Sequence, residues 1–224
     1  MRRNTRTTAR MLLGVAVMAM ALTGCGLGSV KPAPTRLDLG APATVEQPSW
    51  QFGALALPPF NEARLLGRQD VIWRQGVDGM PKRYATYLWR EAPSDLVRER
   101  LFERLSAHGA VLPQTINADM PQLQVTLMQF EQVFSSDGAS NEAVVSLQAV
   151  LMRDGDVLGR FLATETQPGQ ANNAPAGAQA LRQATDQLIA RLVQWLSGTL
   201  SSEISTAAPT TTPTTRPITR STTS

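Results

Sequence analysis

The sequence predicts an α+β domain: a mainly antiparallel sheet with two amphipathic helices packed on one face. Three observations carry this. Segments in which apolar and polar residues alternate recur along the chain, giving about six strands. The three longest of them are consecutive, which makes an antiparallel meander. Two further segments repeat their apolar residues at helical spacing. The domain spans residues 35–197, after a leader at 1–24 and a tether at 25–34, and before a Thr/Ser/Pro-rich tail at 198–224. The pattern leaves open whether the other sheet face is solvated or covered by a partner.

Taken in order, Thr35 to Gly40 alternates around Leu37 and Leu39 and predicts a first short strand, followed by a loop over Ala41 to Pro48. Ser49 to Leu57 reads as a strand that Pro58-Pro59 ends, because proline cannot donate to a ladder. Phe60 to Gly67 is a connection. Asp70 to Gln75 and Arg83 to Trp89 form a hairpin around Gly76-Val77-Asp78-Gly79, with Tyr84, Thr86 and Leu88 on one face. Ala92-Pro93-Ser94 starts a helix with Ser94 as N-cap and Asp95 in the first turn. Val97, Leu101, Phe102 and Leu105 form its apolar face, and Gly109 is the expected C′ residue.

Gln122 to Phe134 is a long half-buried strand with a bulge where its pattern slips near Gln129. Ser135 to Asn141 turns into Glu142 to Arg153. Asp154-Gly155-Asp156 then suits the positive φ of a two-residue hairpin, and Val157 to Thr166 returns. After a loop over Gln167 to Pro175, Ala176 to Leu196 predicts a long helix. Its stripe is Leu181, Leu188, Leu192 and Trp195, widened by Ile189 and Leu196, with Gly198 as a cap. Thr199 to Ser224 has little to bury and predicts a disordered tail.

The leader defines the compartment. Arg2, Arg3, Arg6 and Arg10 precede an apolar run from Met11 to Leu22, too short for a stable span of roughly 20 residues. It ends in Leu22-Thr23-Gly24-Cys25, which resembles the bacterial lipobox, where a peptidase cuts before a cysteine that is lipidated. Cys25 is the only cysteine, so an internal disulfide is excluded. Without the four leader arginines, 17 basic residues face 18 acidic ones. No basic block survives, so nucleic acid is not an expected partner. By resemblance to enterobacterial sorting rules, Gly26 rather than Asp after the cysteine implies the outer membrane, periplasmic face.

Catalytic chemistry is not expected. His108, the only histidine, reads as a helix-end residue. With one histidine and one lipidated cysteine there is no Cys/His zinc site and no full triad. There is no Walker-type loop. Asp154-Gly155-Asp156 lacks the remaining ligands of a calcium loop. Glu99 and Glu103 lie among Arg98, Arg100 and Arg104, a solvated charged face. No cofactor and no metal is implied. The aromatic residues Trp50, Trp73, Tyr84, Tyr87, Trp89 and Trp195 should mostly be core. An alternating strand sends some of Tyr84, Tyr87 and Trp89 to opposite faces, so these three are the candidate partner-binding residues.

The order of Leu57-Pro58-Pro59-Phe60, Ile72-Trp73-Arg74-Gln75-Gly76, Arg83-Tyr84-Ala85-Thr86-Tyr87-Leu88-Trp89 and Ala92-Pro93-Ser94-Asp95-Leu96 resembles the ABC-type transport auxiliary lipoproteins, the PqiC/YmbA-like family. The family's meander and final helix correspond to Gln122 to Leu196. Trp73 stands where that family usually has Tyr, and the tail is outside its pattern. The resemblance implies a docking role beside an MCE-domain protein and inner-membrane transporter components that move lipids between two membranes, with a membrane tether through lipid and a matching homo-oligomer. Two other readings stand beside it: a periplasmic lipid carrier, and a structural lipoprotein of cell-wall or secretion machinery.

Overall fold

The computed structural model describes residues 32–41 and 49–207. Leu22, Thr23, Gly24 and Cys25 lie outside the described residues, as does the tail beyond Ala207. From Pro34 onward the chain forms β1 (Thr35–Leu37), β2 (Ala54–Ala56), β3 (Asn61–Glu62), β4 (Asp70–Gln75), β5 (Lys82–Trp89), α1 (Pro93–Ser106), β6 (Ala110–Leu112), β7 (Gln122–Phe134), β8 (Asn141–Arg153), β9 (Asp156–Pro168) and α2 (Ala174–Ala207). The α+β class holds, with two helices and a mostly antiparallel sheet among the described residues.

The meander β7-β8-β9 is the frame. β8 pairs antiparallel along its length with β7 on one side and β9 on the other. The other edge of β7 is shared by three short strands, all parallel to it. β2 meets Gln122, β3 meets Thr126 and Leu127, and β4 meets Gln132 to Phe134. β5 and then β1 extend the sheet beyond β4, and β6 pairs with β2. Asp154 and Gly155 have φ of 49° and 84°, the left-handed geometry that the tight turn into β9 requires.

The register skips one residue between Leu127 and Gln129, so Met128 is a bulge. The bulge keeps Leu123, Val125, Leu127 and then Phe130 buried together, opposite Leu151, Ala149, Leu147 and Val145 of β8. Leu181, Ala184, Leu188, Leu192 and Leu196 of α2 close over this face, and Val97, Leu101 and Leu105 of α1 join the same core. Small residues (Ala143, Ala149, Ala163, Ala184) let α2 lie close to the strands.

Several boundaries differ from expectation. Of Ser49 to Leu57 only Ala54–Ala56 is strand, β3 lies within the expected connection Phe60 to Gly67, and β6 had no expectation. Ala92, not Ser94, is the N-cap of α1, because Pro93 takes the first helical position. Gly109 is not in the left-handed region. It is instead a place of close approach: a Cβ there would lie 2.3 Å from the Phe52 carbonyl oxygen. α2 starts before Pro175, which the first turn tolerates, with the Asn173 side chain accepting from the Ala176 N–H at 2.9 Å. It runs through Gly198 to Ala207 rather than ending at Leu196, because Leu200 is buried and continues the stripe of Leu192 and Leu196. None of the helices among the described residues is long and apolar enough to cross a membrane.

Candidate docking site

β4 and β5 pair irregularly. Asp70 faces Leu88 and Ile72 faces Arg83, so two residues of β4 span five of β5. Strict alternation of Tyr84, Thr86 and Leu88 is therefore lost. Tyr84 and Tyr87, three apart, come together edge to face with ring centroids 6.0 Å apart. Trp73 of β4 lies 6.0 Å from Tyr84 and 5.6 Å from Phe134 at the end of β7. Lys82 Nζ sits 4.9 Å from the Trp73 ring centroid, within cation–π range. All four rings are half-buried, and a hollow of about 220 Å³ is lined by Trp73, Tyr84 and Phe134 with Gln75 and Asn172.

A chain of amides fixes this cluster from behind. The Tyr84 hydroxyl donates to Gln132 Oε1 at 2.8 Å. Gln132, 1% exposed, donates to Asn141 Oδ1 at 2.6 Å. Asn141 in turn donates to Asn172 Oδ1 at 2.6 Å and to the Ala171 carbonyl at 3.1 Å. Asn172 donates to the Gly138 carbonyl at 2.9 Å. Each amide of the chain thus meets a partner, which fixes the Tyr84 ring against which Trp73 and Tyr87 pack. Partial burial, and then the neighbouring Tyr87, push the Tyr84 hydroxyl up to about 12. The hydroxyl stays a neutral donor throughout the physiological range.

The family described as the ABC-type transport auxiliary lipoprotein component matches residues 36–193, from β1 through most of α2. The chain belongs to that family. This auxiliary lipoprotein is also similar to solved structures. Protein XCC0632 from Xanthomonas campestris is 22% identical, with a TM-score of 0.63 over 78% of this chain and 98% of that one. An uncharacterized protein is 17% identical, with a TM-score of 0.58 over 74% of this chain and 100% of that one. At these identities the likeness speaks to the fold. No curated protein sequence matches the lipoprotein.

The structure brings two of the three expected contact residues together and removes the third. Trp89 is 1% exposed and packs edge to face on Phe130 with centroids 5.4 Å apart, so it belongs to the core and offers no surface. The irregular β5 register separates it from the tyrosine pair, a feature no alternation pattern shows. Trp73, Phe134 and the amide chain were not expected at the site. The available signal was Gln132, a polar residue in the core-facing phase once the bulge is counted.

Other polar residues make contacts within the fold. His108 is buried against Trp50, with ring centroids 4.5 Å apart and Nδ1 3.2 Å from the Trp50 carbonyl oxygen. The charged face expected on α1 is only partly solvated. Arg90 and Glu99 pair at the surface at 2.9 Å, but Arg100 is 4% exposed. Its guanidinium binds Asp186 of α2 and the carbonyls of Leu39, Gly40 and Ala41. Arg98 donates to the Leu57 and Pro58 carbonyls. Among the described residues no three His, Cys, Asp or Glu side chains converge as a metal group would.

Proposed function

We propose that this lipoprotein is anchored by acyl chains on Cys25 at the periplasmic face of the outer membrane, and that it docks the MCE-domain component of an intermembrane lipid transport system. The family match over residues 36–193 carries the transport reading. The lipobox-like Leu22-Thr23-Gly24-Cys25 supports the anchor, and Gly26 after it supports the outer membrane. The aromatic patch supports docking. Half-buried rings packed around Tyr84, which the amide chain holds, offer large contact area at little ordering cost, the usual make-up of an interface hot spot. An anchored domain also meets its partner at raised effective concentration, so a modest interface suffices. A homo-oligomer matching a ring-shaped partner belongs to the same reading.

The test is affinity recovery of the tagged lipoprotein after cross-linking in membranes, with mass spectrometry of what accompanies it. Recovery of an MCE-domain protein is expected from the wild type, with at least a tenfold loss in Tyr87→Ala. Cys25→Ser is expected to abolish incorporation of a labelled fatty acid into the protein. Recovery of cell-wall or secretion components alone would overturn the transport docking and favour a structural lipoprotein.

A further inference from the structure

The sheet face turned away from the helices carries a second feature. β4, the bulged middle of β7 and the segment after β3 enclose a groove of about 690 Å³, in the range of small-molecule sites, roughly 300–1,000 Å³. Leu65, Leu66, Ile72, Val133 and Val144 line it, and Met128, the bulge residue, stands half-exposed among them. Leu66, Ile72, Val133 and Val144 are buried there even though no helix among the described residues covers this face, so the wall already excludes much water.

The polar groups of the groove are engaged with one another. Arg74 Nη2 lies 2.7 Å from the Glu131 carboxylate, and Gln129 donates to the same carboxylate. Arg74 Nη1 donates to the Val77 and Gly79 carbonyls at 3.3 and 3.4 Å. Ser146 accepts from the Thr164 hydroxyl at 2.9 Å and donates to the Ala163 carbonyl. Arg74 Nε is left without a partner. Glu142, exposed, and Thr166 line the groove beside them. On the floor Arg74 and Glu131 offset each other in charge and most hydrogen-bonding atoms are engaged, which leaves Arg74 Nε there and the Glu142 carboxylate at the rim. A peptide laid into it would bring an N–H and a C=O with every residue and find few partners. A methylene chain brings none.

The geometry points to an acyl-chain site: the groove takes one hydrocarbon chain of a phospholipid-like amphiphile, with the headgroup left at the surface. The Glu142 carboxylate, which has no ion-pair partner among the described residues, favours a head that carries an ammonium over one that is only anionic. The choice of a membrane lipid rests on the transport reading above; the need for an uncharged, hydrogen-bond-free chain rests on the groove itself.

The test uses the full-length Cys25→Ser chain and a lysophosphatidylethanolamine with a fluorescent acyl chain. Saturable one-to-one binding is expected, weakened at least tenfold in Val144→Trp, which fills the groove. Met128→Glu, a half-exposed change that leaves the core intact, is expected to weaken it severalfold. Leu162→Trp, on β9 outside the groove, should bind as the wild type does. Equal binding by all four proteins, or none by the wild type, would overturn the site. Each variant is checked for native near-UV circular dichroism. Val144→Trp in its lipidated form should still recover the docking partner. Loss of partner recovery by the wild type with groove-specific lipid binding intact would remove the docking reading and leave this one standing.

Discussion

Arg100 shows how much one side chain can organise. It lies on α1, yet its partners are Asp186 of α2 and three successive carbonyls of the segment after β1. Removing it leaves Asp186 and the Leu39 and Gly40 carbonyls without their cation, while the Ala41 carbonyl keeps Arg182 at 3.0 Å. Breaking a buried pair costs about 3–5 kcal/mol, and the Asp186 side chain is 30% exposed, which places Arg100→Met near the lower figure. Urea unfolding should show a lower midpoint with an unchanged slope. Tyr84 makes a different prediction. Its folded pKa, about 12, is above the unfolded value of 10.0, so the unfolded chain ionises first. Its contribution to stability is complete below pH 10 and is lost as pH rises toward 12. Tyr84 and Tyr87 are the only two tyrosines, so absorbance titration of Tyr87→Phe reports Tyr84 alone. An ordinary midpoint near 10 in the folded protein would contradict the burial argument.

At the scale of elements, α2 holds two glycines with opposite expectations. Gly198 is exposed, with nothing within 4 Å of an added Cβ. Gly198→Ala should stabilise by about 0.5–1 kcal/mol, since glycine costs that much inside a helix. At Gly177 the added Cβ would meet Gln132 Oε1 at 2.4 Å. Gln132 cannot give way, because Tyr84 and Asn141 hold it. Gly177→Ala should therefore lower the melting temperature despite its better helix propensity, and Gly198→Ala should raise it. A rise in both would mean that the amide chain is looser than its hydrogen bonds imply.

Across the whole molecule, stability is graded. β8 is paired along both edges, and Ala143, Val145, Leu147, Ala149 and Leu151 are sealed beneath α2. β1 is three residues long and pairs with β5 alone. Hydrogen exchange should be slowest in the middle of β8, where amides open only with global unfolding, and fast in Thr35–Leu37. Arg100→Met should speed exchange around residues 37–41 more than in β8. Uniform acceleration would show that the Arg100 contacts support the entire core rather than the segment after β1.

The sequence by itself determined the long elements. β7, β8, β9 and α2 each run for a dozen residues or more, so their periods of 2 and 3.6 repeat often enough to be read, and the bulge near Gln129 and the Asp154-Gly155 turn are local chemistry. The order of segments from Leu57 to Leu96 also pointed to the family that matches residues 36–193. Tertiary structure decided the rest. β2, β3 and β6 are two or three residues long and exist because neighbouring strands supply their ladders, not because their own pattern repeats. The β5 irregularity that pairs Tyr84 with Tyr87 and buries Trp89 depends on its register against β4. Arg100 reads as solvated charge until Asp186, 86 residues away, is placed beside it. The groove arises in the same way, where β4 and the segment after β3 fold against the β7 bulge. Periodicity reports which side of an element faces inward; which elements meet there depends on contacts between residues distant in the chain.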